Sequence, residues 1–243
     1  MATTSAAATK IRILSAAAMG GIVRDLGNAY ERTMGIQLSA EFTRSPLVRD
    51  RVRAGEAVDI VITTQSRIEE LAKENKVVSD SAAIVARSRI GVAVRARWPK
   101  PDIGSVKAFI ATLRGANSIA CADPALGTAS GLYLVELFDR LGLTTELKPK
   151  TRLIGALGGK PVVVCEAVAN GIAELGIQQI AEIVSVPGVD LVGPLPSEIQ
   201  HVTVFAVAVA ASTQNPGLAR DFVSYLTSKA AKSVIAANGM EAG

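Results

Sequence analysis

Apolar residues recur along this chain in two alternating rhythms. Residues 11–16 form a short apolar run, which predicts a buried strand. Ile22, Leu26, Ala29 and Tyr30 then return at helical spacing, with Gly35 placed as the stop. Residues 37–42 alternate like a strand, residues 46–54 read as a helix closed by Gly55, and residues 59–63 read as a strand. A helix follows at residues 68–73. This β-α-β-α-β-α order predicts a parallel sheet with helices on its faces.

The rhythm continues with a strand at residues 89–94, a helix at 106–113, a strand at 118–122 and a helix at 130–141. A helix near residues 162–169 precedes a strand at 175–178, and residues 202–210 form a strong strand. Two helices, 216–227 and 229–237, close the chain at Asn238-Gly239. No linker separates two domains, so two lobes require the chain to cross inside strands, near residues 84–94 and 202–208. The expected division is a disordered leader at residues 1–9, lobe 1 at 10–88 plus 205–243, and lobe 2 at 89–204. The leader is rich in Ala, Thr and Ser.

Composition narrows the function. With 49% hydrophobic residues in 243 the chain can bury a core, and with 4% aromatic it carries little for stacking sugars or single-stranded nucleic acid. The net charge of +4 is scattered, except where Arg44, Arg49, Arg51 and Arg53 gather. Neither a basic stripe nor a nucleic-acid docking motif accompanies it, so no nucleic-acid partner is expected. No apolar run approaches the roughly 18 residues of a membrane span. Residues 1–9 lack a basic n-region and an apolar h-region, which places the chain in the cytoplasm, or in the periplasm if a signal has been removed. Cys121 and Cys165 show no metal-ligand spacing and read as buried thiols; neither metal nor cofactor is expected.

In open α/β sheets, ligands bind beyond the carboxyl ends of strands, where helix N-termini present free N–H groups. Lobe 1 offers Ser15-Ala-Ala-Ala-Met-Gly20, Thr43-Arg44-Ser45-Pro46 and Thr63-Thr64-Gln65 at such positions. Lobe 2 offers Asp123 to Gly131, Gly158-Gly-Lys-Pro161 and Gln178-Gln179. The candidate ligand-binding residues are Ser15, Ala16, Met19, Arg44, Ser45, Thr64, Thr128, Ser130, Lys160 and Gln178. Ser45 before Pro46 reads as a helix cap with proline at the first helical position, and Thr128 opens another helix. Serines and threonines at helix starts are usually caps and nothing more. Arg44 is sharper, because a guanidinium beside a helix N-terminus grips a carboxylate bidentately. His201 is the single histidine and reads as a surface or hinge residue. No nucleophile elbow, P-loop, dinucleotide fingerprint or metal motif is present.

Several segments carry a family likeness. They are Ile13-Leu-Ser-Ala-Ala-Ala18, Phe42-Thr-Arg-Ser-Pro46, Arg53-Ala-Gly-Glu-Ala-Val-Asp-Ile-Val-Ile62 and Ala122-Asp-Pro. Ser130-Gly-Leu-Tyr133, Ala173-Glu-Leu-Gly-Ile177 and Ala236-Ala-Asn-Gly-Met-Glu241 continue the series. In order and spacing the chain resembles the periplasmic molybdate-binding proteins, type II substrate-binding proteins of ABC importers. The resemblance implies two α/β lobes joined by a two-strand hinge, a small anionic ligand, a monomer, and an importer permease as partner. It also implies departures. The family's first-loop ligand serine falls on Ala18, its second-loop serine is kept as Ser45, and its ligand tyrosine is replaced within Gly176-Ile-Gln-Gln179. Molybdate sites of that family use neutral donors, so Arg44 fits a carboxylate better.

Some proteins similar to that family are isomerases of unsaturated tricarboxylates such as aconitate. The residues favour a binding protein over such an enzyme, because no general base stands out. A ligand-sensing module is the third class the sequence permits.

Overall fold

The computed structural model describes residues 10–157, 160–161 and 163–243, without the side chains of residues 156–162. The leader expected at residues 1–9 lies outside the described residues. In chain order the structure runs β1 (Lys10–Ala16), α1 (Gly20–Met34), β2 (Gln37–Thr43), α2 (Ser45–Arg53), β3 (Ile60–Thr64), α3 (Gln65–Lys73) and β4 (Ala83–Arg95). It continues with α4 (Val106–Gly115), β5 (Ile119–Ala122), α5 (Ala129–Arg140), α6 (Thr144–Leu147), β6 (Thr151–Ile154), β7 (Ala156–Leu157), β8 (Lys160–Pro161) and α7 (Val164–Ala169). The last elements are β9 (Leu175–Gln179), α8 (Ile180–Val184), β10 (Val189–Pro194), β11 (Val202–Val209), α9 (Pro216–Leu226), α10 (Ala231–Ala237) and β12 (Glu241–Ala242).

The chain forms two compact units: Met1–Ala86 with Val204–Ala237 and Glu241–Gly243, and Arg87–Thr203 with Asn238–Met240. In unit 1, β1 lies between β2 and β3 and pairs with both in parallel. Every residue of β3 is buried, as expected of a strand covered on both faces. Leu14 and Val61 meet Val48, Val52, Ile68 and Leu71 of α2 and α3 on one face. α1 buries Ile22, Val23, Leu26 and Tyr30, and the Tyr30 ring meets Phe222 of α9 edge-on at 5.0 Å. Gly35 takes φ 65° and closes α1 as expected, and Gly55 takes φ 84° beyond α2.

In unit 2, β5 pairs in parallel with β6 and β9. Ile90, Val92, Phe109, Leu113, Leu134, Leu137 and Ile177 fill one layer of its core. α7 sits close on β9, because a Cβ on Gly176 would stand 2.8 Å from Val168. Cys121 and Cys165 are buried free thiols, and burial pushes both up to about 12.

The parallel order expected of β1, β2 and β3 holds, and strands outside that run pair the other way. β11 runs antiparallel to β3, and β4 runs antiparallel to β9 and β10. Apolar periodicity reports which faces are buried and carries no information on strand direction. The short elements α6, β6, α8 and β10 escaped the sequence reading. Only Ile154 of β6 is buried and no residue of β10 is, so neither produces an apolar run. α7 begins at Val164; Val162, where that helix was expected to start, lies outside the described residues. Among the described residues, no helix is long and apolar enough to cross a membrane.

Candidate functional site

The parallel strands of unit 1 end level with one another. Ala16 pairs with Thr43, and Ser15 pairs with Ile62, so the carboxyl ends of β1, β2 and β3 share one edge. α1 leads from β1 outward to β2, whereas α2 leads back past β1 to β3. That reversal makes the crevice beyond β1 and β3 a topological switch point, where α/β sheets bind ligands.

Three helices start at this edge, and all three start bare. α1, α2 and α3 have no side-chain cap and no acidic residue in their first turns. The free N–H groups of α2 and α3 favour an anion, whereas the first N–H of α1, on Gly20, donates to the Ala17 carbonyl. Here the expected cap at Ser45 is corrected. Arg44 holds the extended N-cap backbone, Ser45 is the first helical residue, and Pro46 follows it. Helix α2 therefore begins one residue earlier than the proline rule suggested, and the Ser45 hydroxyl caps nothing. Thr63 Oγ1 donates to the Ser45 carbonyl at 3.3 Å, which ties the α2 start to the end of β3.

Arg44 separates itself from its basic neighbours. Arg49 pairs with Asp50 and Glu70, Arg51 with Glu41 and Glu56, and Arg53 with Glu70 and Glu74. Arg44, partly exposed, has no carboxylate partner among the described residues. Ser15 is fully buried and donates its hydroxyl to the Ala16 carbonyl at 3.1 Å, while Ala16 and Met19 are buried in the core. Thr64 is buried, and Arg67 donates to its hydroxyl at 3.0 Å. Burial lowers the Arg67 pKa, with Arg49 adding to the effect. Sequence reading missed Arg67. Its signal is spacing, because a residue three positions into a helix points back at the helix start.

Unit 2 presents its own strand-end edge. Cys121 pairs with Ile177, so Ala122 and Gln178 follow at the same level. Thr128 caps α5, accepting from the Gly131 N–H at 3.4 Å, and Asp123 accepts from Ala125 at 2.9 Å. Gly131 permits this start, because a Cβ there would lie 2.9 Å from the Ala122 carbonyl oxygen. Ser130 is buried in the first turn of α5. Gln178 is 3% exposed, and its Nε2 is buried without a hydrogen-bond partner among the described residues. Gln179 donates to Thr203 Oγ1 at 2.6 Å. Lys160 falls in β8, and its side chain lies outside the described residues. His201 stacks on Tyr133 with ring centroids 4.7 Å apart, and burial lowers its pKa. Burial also pushes Glu182, in the first turn of α8, up to about 7.

Among curated proteins, the chain is 35% identical over 239 residues to an aconitate isomerase from Pseudomonas sp., covering 96% of this chain and 88% of that protein. Among solved structures, the Azotobacter vinelandii periplasmic molybdate-binding protein superposes with a TM-score of 0.78 at 19% identity, over 96% of this chain and 99% of the other. The sulfate-binding protein SubI from Mycobacterium tuberculosis H37Rv gives 0.72 at 19% identity, over 96% and 86%. These likenesses establish a type II periplasmic-binding-protein fold. The family model for bacterial extracellular solute-binding proteins matches residues 11–241. With nearly every described residue inside that match, the chain belongs to the bacterial extracellular solute-binding protein family.

Proposed function

We propose that this chain binds an aconitate-type tricarboxylate at the strand ends of unit 1 and shifts its double bond. The observation that carries this reading is the 35% identity to an aconitate isomerase over 96% of the chain. Arg44 supports it: a guanidinium with no internal carboxylate suits an ionised carboxylate better than a site of neutral donors would.

A double-bond shift conserves atoms and electrons. A base takes a proton from the carbon next to the alkene, charge spreads into the adjoining carboxylate, and the proton returns at the far end of the three-carbon system. Arg44 and the bare N–H groups of α2 and α3 would stabilise that developing charge. Ser45 and Thr64 would add hydroxyl donors.

A second reading keeps the fold and the ligand and drops the chemistry. The family match supports a periplasmic carrier that delivers a carboxylate or oxyanion to an importer permease. One assay separates the two. With purified protein at catalytic concentration, cis-aconitate or trans-aconitate is followed by the ultraviolet absorbance of the alkene. Turnover supports the isomerase. A rise in melting temperature with aconitate but no turnover supports the carrier.

A further inference from the structure

The loop that leads out of β4 in unit 2 carries the chain's single tryptophan among cations: Arg95-Ala-Arg97-Trp98-Pro99-Lys100-Pro101. Arg97, Trp98, Pro99 and Lys100 are exposed in succession, and Trp98 keeps 47% of its surface open. Scattered exposed leucines are ordinary, whereas a half-open tryptophan flanked by charges of one sign marks a surface that meets something. Val94 pairs with Leu175 at the start of β9, so this loop lies at the opposite edge of the sheet from Gln178.

The loop is held in place, and its acids are occupied in holding it. Arg97 takes φ 69°, a strained region for a residue with a Cβ, and its N–H donates to Asp190 at 2.8 Å. The Trp98 N–H donates to the Arg95 carbonyl at 3.0 Å, and the Ala96 N–H to that of Gly188 at 2.9 Å. Arg95 lays its guanidinium 5.6 Å from the Trp98 ring centroid and so close to Gly171 that no Cβ would fit there. Asp102 accepts from the Gly104 N–H at 2.8 Å. The side chains of Arg97 and Lys100 have no carboxylate partner among the described residues.

Beside Trp98 lies a slot of about 280 Å³, walled by Val94, Trp98, Pro99, Pro101, Ala116 and Leu175. Its polar side chains are already bonded inside the molecule. Thr112 donates to the Asp102 carbonyl at 2.8 Å, and Glu174 accepts from the backbone and side chain of Asn117 at 2.8 and 2.6 Å. Lys150 donates to the Ala116 carbonyl at 3.1 Å. Two wall residues are prolines, which have no N–H to offer. A peptide laid here would lose water from its own N–H and C=O groups without replacement. A hydrocarbon chain has no such groups. Apolar walls under a cationic rim therefore match a lipid with an anionic headgroup, and tryptophan favours the headgroup level of a bilayer.

We infer that residues 95–101 and the slot beside them dock this protein on an anionic phospholipid membrane surface, with Arg97 and Lys100 against the phosphates and Trp98 among the headgroups.

The test uses the full chain, with Trp98 as its native reporter. Vesicles of phosphatidylglycerol and phosphatidylcholine in equal parts are compared with phosphatidylcholine alone at low salt. The protein should sediment with the anionic vesicles and not with the neutral ones. Its Trp98 emission should move to the blue, and added salt should reverse both effects. A cation near such a surface adds about fivefold to binding, so Arg97→Gln combined with Lys100→Gln should weaken it roughly 25-fold. Both side chains are exposed, so the double variant should melt like wild type. If Arg97→Gln disturbs the strained turn, Lys100→Gln alone, at about fivefold, carries the test. Trp98→Ala should weaken sedimentation about fivefold or more. No sedimentation of wild type, equal sedimentation with neutral vesicles, or wild-type sedimentation of the charge variants overturns the inference. So does a blue shift with soluble poly-glutamate that the vesicles do not produce, since the loop would then dock an acidic protein.

Discussion

The strand-end edges of the two units are built alike and finished differently. In each, parallel strands end level and helices begin at once. In unit 2 the chain satisfies the start of α5 itself: Thr128 caps α5, and Asp123 caps the turn before it. In unit 1 the starts of α1, α2 and α3 have neither cap nor acid, and cations stand beside them. An edge that satisfies itself is stable without a ligand. An edge left bare and positive stores its interactions for an anion. On the function proposed above, the bare edge of unit 1 is the one that serves the ligand.

The largest effect expected from that division is at Arg44. Arg44→Ala removes the unpaired cation and should weaken the true ligand by about 2–5 kcal/mol, roughly 30-fold or more, as measured by calorimetry. Melting temperature should not move, because no internal partner is lost. Arg44→Lys should recover part of the affinity. Wild-type binding in Arg44→Ala would remove the contrast between the edges.

Gln178 sharpens the comparison as unit 2's exception, a buried donor with nothing to bond. Gln178→Leu should raise the melting temperature of the free protein, since an unsatisfied buried donor costs about 1–3 kcal/mol. If stability falls instead, the packing of the Gln178 side chain outweighs its unbonded donor.

Thr128→Val tests the capped edge directly. Loss of the cap should cost about 1 kcal/mol of stability and lower the melting temperature by about 2–4 °C, with affinity little changed. Ser45→Ala should show the mirror image, about 1 kcal/mol of affinity and no stability, because its hydroxyl caps nothing.

A further effect is a pH slope from Glu182. Its folded pKa of about 7 lies above its ordinary value of 4.5, so between those limits the folded state binds more protons than the unfolded one. Stability therefore falls as pH rises through that window and is level outside it. Glu182→Gln should flatten this part of a denaturation-versus-pH profile.

Much of the fold was legible in the residues. β1 through α3 were readable because each is an uninterrupted period, ended by Gly35 or Gly55 in a left-handed turn. The capped start of α5 was equally plain, since a threonine at a helix start acts on backbone only three residues away. Short or half-exposed elements such as β6, α8 and β10 carried no periodic signal. Candidate positions at the strand ends followed from the βα order, and of these Met19 and Ala16 are buried.

Local sequence determined everything that acts over one turn or one strand: period, stops, caps, and the placing of Arg44 at a helix start. Tertiary structure alone decided the direction of β4 and β11, because pairing joins residues far apart in the chain. It also decided which arginines have partners. Arg49, Arg51, Arg53 and Arg44 look alike in sequence, but only the first three meet Glu41, Glu56, Glu70 and Glu74 on other elements and loops. Charge is written in the sequence; whether that charge is already neutralised depends on distances that only folding sets.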